Sequence, residues 1–200
     1  MSKALIVAPA WVGDMVMAHC LIQLLASQFK ELHVLAPGAT APLAQRMAEV
    51  TRVHLAEFAH GELGLGKRRD LGHQLRAEAY AAAYVLPNSW KSALVPWFAQ
   101  ITNRVGWHGE ARYGLLNDRR KLDKQAYPLM IERFMALASV TGELPSKPYP
   151  LPQLIADGAN AEQLCATHRL DAERVTVLCP GAEFGAAKKW PARHYAVVAR

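Results

Sequence analysis

An aspartate that follows glycine at the end of an apolar run is well placed to do chemistry. In Ala8-Pro9-Ala10-Trp11-Val12-Gly13-Asp14, the preceding residues Ala4 to Val7 read as the first strand of a parallel sheet. The following stretch, Met15 to Phe29, reads as a buried helix. The Gly-Asp pair therefore lies at a strand-to-helix turn, at the carboxyl edge of a sheet, where open α/β folds bind ligands. A helix N-terminus favours an ionised carboxylate, and an ionised carboxylate in a cleft can act as a general base. An aspartate that only satisfies the orphan amides of the first helical turn would look the same. Both roles stay open for Asp14 on these residues.

Two basic clusters and one turn complete the candidate chemistry. Between Lys67 and Arg76, helical spacing puts Arg69, His73 and Arg76 on one face and Leu71 and Leu75 on another. Such a stripe suits phosphate or carboxylate groups on a large acceptor; a solvated amphipathic helix gives the same pattern. Arg119, Arg120, Lys121 and Lys124 form a second cluster in a loop-like region, with the same two readings. Near the end of the sequence, Cys179-Pro180-Gly181-Ala182-Glu183 leads through Lys188 and Lys189 to a helix beginning at Pro191. A strand, a Gly-containing turn with lysines and a new helix resemble a phosphate cradle. The order Gly-Lys-Ser/Thr of a Walker loop is absent, as is G-x-G-x-x-G after the first strand, which argues against a nicotinamide enzyme. His19, Gln23 and Ser27 read as a solvent-facing stripe, and the scattered histidines show no metal-ligand spacing.

Alternating strand and helix patterns are needed to position these groups, and they predict a parallel sheet with crossover helices. Strands are expected near 4–8, 32–36, 52–56, 82–86, 104–107 and 175–179. Helices are expected near 15–29, 42–47, 67–79, 91–100, 129–141 and 159–168. Four prolines between Pro145 and Pro152 exclude a regular element and mark an extended connector. The expected organisation is a Rossmann-like domain over residues 1–144, a connector over 145–158, and the opening of a second α/β domain over 159–200.

With 52% hydrophobic residues in a 200-residue chain, a sizeable core is available, and no apolar run is long and uncharged enough to span a bilayer. Cys20, Cys165 and Cys179 lie far apart beside apolar residues, which predicts buried thiols in a reducing, cytoplasmic setting. The formal charge of +6 is concentrated in the middle of the chain. Residues 1–58 balance to zero, residues 59–124 carry eleven basic and six acidic groups, and residues 125–200 carry eight and seven. A local anionic partner fits that distribution. No nucleic-acid-binding motif accompanies it, so nucleic acid is not an expected partner.

Several segments together resemble the ADP-heptose:lipopolysaccharide heptosyltransferases, most closely the heptosyltransferase II branch. They are Trp11-Val12-Gly13-Asp14-Met15, Tyr84 to Ser89, Lys91 to Pro96, Gly106-Trp107, Arg112 to Asp118, and Cys179 to Gly185 with Lys188 to Pro191. The resemblance implies a GT-B architecture: two Rossmann-like domains facing each other across a cleft, with acceptor on the first and ADP-heptose on the second. It implies inverting, metal-independent transfer of heptose, without a cofactor, to Kdo-lipid A that already carries one heptose. The acceptor would be reached peripherally at the cytoplasmic face of the inner membrane of a Gram-negative cell. Asp14 falls where the family places its catalytic base. Lys188, with Gly181 and Glu183, falls at the donor phosphates. Arg69, His73, Arg76 and Arg120 are the expected acceptor-binding residues. Family members run beyond residue 200, so the second domain is expected to be incomplete here, and the 200-residue chain alone is expected to be inactive. A non-catalytic acceptor-binding module is the alternative.

Overall fold

The computed structural model describes residues 2–58, 62–171, 174–182 and 186–199. They divide into two compact units, Met1–Ile155 and Ala156–Arg200. The first unit is built on six parallel strands: β1 (Lys3–Val7), β2 (Glu31–Ala36), β3 (Val50–Leu55), β4 (Ala82–Val85), β5 (Asn103–Trp107) and β6 (Asp118–Arg120). Their order across the sheet is β3-β2-β1-β4-β5-β6. This is the doubly wound order in which the chain reverses its direction of travel between the first and fourth strands.

Alternation along each strand sends side chains to opposite faces. Ala4, Ile6, Val34, Tyr84 and Trp107 join the core on one face, and Leu5, Val7, Ala83 and Val85 join the core on the other. Helices α1 (Val12–Leu25), α2 (Ala41–Ala44) and α5 (Met130–Met135) contribute to the first layer; α3 (Leu65–Leu75) and α4 (Leu94–Phe98) form the second. Because β1 and β4 are buried on both faces, their sequences are continuous apolar runs rather than alternating ones.

Close approach of α3 to α4 depends on Gly72. A Cβ there would lie 2.4 Å from Phe98 Cβ and 2.9 Å from the Val95 carbonyl oxygen. The inward line of α3 is accordingly Arg68, Gly72 and Leu75, all buried.

Five expectations are corrected. β6 lies in the region read as a loop: Asp-Arg-Arg carries no apolar signal, and its pairing is set by its neighbour β5. The helix expected over 129–141 ends at Met135, because the Arg120 guanidinium captures the carbonyls of Ala136 and Ser139 just beyond it. Of the His19 stripe, only Ser27 is exposed. His19 is buried, with Nε2 against Glu49 at 2.7 Å and Nδ1 accepting from the Gln153 amide at 3.0 Å. Cys20 and Gln23 donate to the Pro150 and Leu151 carbonyls, so the proline-rich strap is laid over that stripe. Of the three thiols, only Cys20 is buried; Cys165 is half-exposed and Cys179 exposed. Finally, residues 175–179 form no strand, since no described segment of the second unit offers them a ladder partner.

That second unit contains α6 (Gly158–His168), capped by Asp157 accepting from the Asn160 amide, and α7 (Ala192–Val198), which begins at Pro191.

At the β2–β3 side of the sheet, Tyr80 hydrogen-bonds His33 Nδ1 at 2.7 Å and His54 Nε2 at 3.0 Å. Burial pushes both histidines below the ordinary imidazole value, with the neighbouring ring adding to the effect at His54. Both are therefore neutral when folded and take up protons more readily when unfolded, so stability is lost as pH falls through about 6.5 and below. Urea unfolding between pH 7 and 5 should show this slope, and His54→Gln should flatten it. In the same assay Gly72→Val should cost about 1–3 kcal/mol through overpacking against α4.

Candidate active site

The reversal between β1 and β4 leaves a crevice at the carboxyl ends of these two strands, walled by the segments that follow them. After β1 comes Ala8-Pro9-Ala10-Trp11, and Trp11 is the N-cap of α1, with no side-chain cap bond. The first-turn amides of this 14-residue helix are thus open to the crevice. Nothing lies within 4 Å of the place where a Cβ on Gly13 would sit, so a ligand can approach the backbone there.

After β4 comes Leu86-Pro87-Asn88-Ser89, and this loop is fastened from three sides. Ser92 Oγ donates to the carbonyls of Pro87 at 3.1 Å and Ser89 at 2.6 Å. The Glu110 amide donates to Asn88, while the Glu110 carboxylate accepts from the Trp90 amide. Gly109, at φ +49°, passes so close that a Cβ would lie 2.3 Å from the Asn88 oxygen.

From beneath, Arg112 bonds the Pro87 carbonyl at 2.8 Å and also the Trp107 carbonyl. Arg112 is fully buried, and the loss of solvent pushes its guanidinium down to about 10. Gly106 makes room for it: a Cβ there would be 3.3 Å from Arg112 Nη2 and 2.9 Å from the Val85 oxygen.

Two adjoining cavities open between these walls, sharing Ala10, Trp11, Pro87 and Asn88. The larger, about 570 Å³, has an apolar floor that includes Val7, Leu35 and Phe58, and a polar side formed by Asn88, Ser89, Lys91 and Arg68. Arg68 lies 3.9 Å over the Phe58 ring and donates to the carbonyls of Leu63 and Lys91. Burial lowers its guanidinium from the ordinary value, partly offset by Glu62.

The smaller cavity, about 460 Å³, contains Asp14 together with Lys124, Arg133, Trp107, Met130 and Phe134. The Asp14 carboxylate is half-buried and makes no hydrogen bond or ion pair with any described residue. It caps nothing. An acceptor-only group facing a cavity beside two cations is free to accept a proton or a hydroxyl hydrogen bond from a ligand.

The other residues singled out from sequence lie elsewhere. Arg69 is exposed, 3.6 Å from Asp70. His73 stands edge-on to Phe98, and Arg76 donates to the Phe98 carbonyl. None of the three lines either cavity; the cation of that helix that does is Arg68. Arg120 is a strand residue whose guanidinium is committed to Asp118 and to the carbonyls after α5, so it has no reach into the crevice. Lys188, in the short turn Ala186–Lys188, and Gly181 are exposed in the second unit. Glu183 lies outside the described residues.

Of the second basic cluster, Lys124 does line the smaller cavity, whereas Arg68, Lys91, Asn88 and Arg133 received no role from sequence reading. For Arg68 a signal existed: Gly72, one turn later, marks the face of α3 that meets another helix.

Against this geometry, the family model for glycosyltransferase family 9 (heptosyltransferase) matches residues 68–200. The chain belongs to that family. Among family 9 relatives, lipopolysaccharide heptosyltransferase 2 of Salmonella typhimurium is 47% identical over 206 residues, covering 99% of this chain and 59% of that protein. The solved ADP-heptose lps heptosyltransferase II of E. coli matches with a TM-score of 0.86 at 45% identity, over 98% of this chain and 60% of that one. A family 9 glycosyl transferase from Veillonella parvula matches with a TM-score of 0.80 at 11% identity, over 99% of this chain and 58% of that one, a likeness of fold alone. The chain thus spans about 59% of the length of the curated relatives it matches. The parallel α/β sheet is the one expected for the amino-terminal part of a GT-B heptosyltransferase.

Replacing Arg112 with leucine should leave the Pro87 and Trp107 carbonyls unpaired in the interior. The expected loss is about 2–5 kcal/mol in urea unfolding, with amide exchange accelerated first at Asn88 and Trp90.

Proposed function

We propose that the intact protein transfers heptose from ADP-L-glycero-D-manno-heptose to the first heptose of the lipopolysaccharide inner core, on a Kdo-lipid A acceptor. The unengaged Asp14 carboxylate in the first turn of α1, at the mouth of the crevice, carries this reading. It is supported by the names of the relatives, which are lipopolysaccharide and lipooligosaccharide heptosyltransferases.

In this mechanism the acceptor sugar lies in the crevice of the first unit. Its attacking hydroxyl donates to Asp14, which takes the proton as the oxygen bonds to the anomeric carbon of the donor. The bond from that carbon to the diphosphate breaks on the opposite face, so configuration inverts. ADP leaves with the negative charge. Lys188, with Gly181 and Glu183, is assigned to the donor phosphates, where a cation and backbone amides would stabilise the growing charge without a metal. Arg68 and Lys91 are the cations assigned to acceptor anions in the larger cavity, replacing the outward stripe of α3 in that role. The acceptor is a lipid, so the protein works peripherally at the cytoplasmic face of the inner membrane. Among the described residues no helix is long and apolar enough to cross a membrane.

The test is Asp14→Asn in the intact protein, which keeps the side-chain shape and removes the basicity. Turnover of ADP-heptose with an acceptor bearing one heptose should fall about 10²–10⁴-fold with unchanged unfolding. A folded variant that turns over at the parental rate would remove Asp14 from the chemistry.

A further inference from the structure

The two adjoining cavities differ in charge. Among the described residues, the lining of the larger one holds the cations Arg68 and Lys91 and no carboxylate. The smaller one sets the Asp14 carboxylate together with Arg133, and the exposed Lys124 completes its charged lining. Ala10, Trp11, Pro87 and Asn88 line both, so groups bound in the two cavities are neighbours. The proposed chemistry gives Asp14 a task and leaves Arg133 without one.

Arg133, in α5, is half-buried and fixed in place. Its backbone carbonyl accepts from Trp107 Nε1 at 3.0 Å. Its Nε donates to the Tyr127 carbonyl at 2.9 Å and its Nη2 to the Pro128 carbonyl at 3.1 Å. These two bonds use one edge of the guanidinium fork. Nη1, at the other end, has no partner among the described residues, and no described carboxylate pairs with this side chain. A guanidinium held still without an anion, in a pocket walled by Trp107, Met130 and Phe134, has donors to offer a ligand and little freedom to lose on binding. Asp14 can only accept hydrogen bonds, and Arg133 can only donate them. A hydroxyl that donates to the first and a neighbouring oxygen that accepts from the second satisfy both. A phosphate or carboxylate in that position would be drawn to Arg133 but repelled by Asp14, whereas a neutral polyol meets both charges without conflict.

We propose that Arg133 selects the acceptor sugar by donating to an oxygen adjacent to the hydroxyl that Asp14 deprotonates. The smaller cavity then takes a neutral sugar, the heptose, and the larger cavity takes its acidic neighbour in the same glycan, the Kdo. The inference rests on the acceptor proposed above and assigns its two sugars to the two cavities. Reading a second oxygen also fixes the ring, so that one hydroxyl of the heptose, and not the others, is presented to Asp14. A fork of donors suits this task better than the point charge of a lysine.

Calorimetry of the intact protein with the lipid-free heptose–Kdo disaccharide, with ADP present and no heptose donor, tests this apart from catalysis. The heptose hydroxyls flanking the attacking one are replaced by hydrogen in turn. One of these changes should weaken binding to the parental protein about 10–100-fold. Arg133→Gln should weaken binding of the unmodified disaccharide by a similar factor and should bind that deoxygenated form no worse than the unmodified one, the non-additivity of a direct contact. Arg133→Lys should restore only part of the loss. ADP affinity should be the same in all three proteins. An Arg133 that only supports the fold would lower affinity for every disaccharide alike and leave the discrimination intact, which would overturn the proposal. Equal binding of every deoxygenated form by the parental protein would overturn it with no variant needed, as would failure of the parental protein to bind the disaccharide. Loss of ADP affinity in place of disaccharide affinity would give Arg133 to the donor phosphates instead. If Asp14→Asn retained full turnover while the Arg133 cycle held, the catalytic reading would fail and the sugar site would stand.

Discussion

Everything functional in the first unit depends on one constraint of the sheet. The chain runs outward from β1 through β2 to β3, then returns to β4 on the other side of β1 and runs outward again, so the segments after β1 and β4 diverge and do not cover the strand ends between them. The crevice is a consequence of chain path, not of any one side chain. What the side chains decide is its lining. Asp14 enters because α1 starts immediately beyond β1, and Arg68 and Lys91 enter because α3 and the turn before α4 wall the other side.

A gap of this kind is useful only if its walls hold still. The β4 wall is short of regular structure, and its carbonyls would be mobile or unsatisfied without partners. Arg112 resolves this by placing a planar set of donors under Pro87 and Trp107, while Ser92 and Glu110 take the remaining loop groups. The hydrogen bonds of this buried cation go to carbonyl oxygens, with the Glu110 carboxylate adding a favourable charge interaction that partly offsets its burial. The arrangement separates positioning from chemistry: Arg112 never faces the crevice, and Asp14 makes no contact that a substrate would have to displace.

Much of this was legible in the residues. The doubly apolar runs at 4–7 and 82–85 announce central parallel strands, and Gly13-Asp14 after the first of them locates the crevice and its carboxylate. Other features were hidden for physical reasons. β6 is three polar residues whose strand conformation is imposed by β5, so no local pattern records it. The inward and outward faces of α3 differ by one residue in register, and a charge count cannot tell Arg68 from Arg69; only the packing around Gly72 does. His19 and Gln23 are polar for a reason visible only at a distance of about 130 residues, where a strap without regular hydrogen bonds of its own finds its partners.

Among the described residues both rims of the sheet are unpaired, and both carry arginine. The β3 rim presents Arg52, held by Glu78, and the β6 rim presents Arg119, stacked 3.7 Å over Tyr113. Unpaired strand backbones are templates for any other strand of suitable length. Two copies of this sheet that met at the β3 rim would have to fit around the charged Arg52–Glu78 pair, and β6 offers only three residues of ladder in exchange. Edge-on association is therefore disfavoured by charge on one side and by brevity on the other, which leaves the sheet free to remain open at the crevice without growing at its sides.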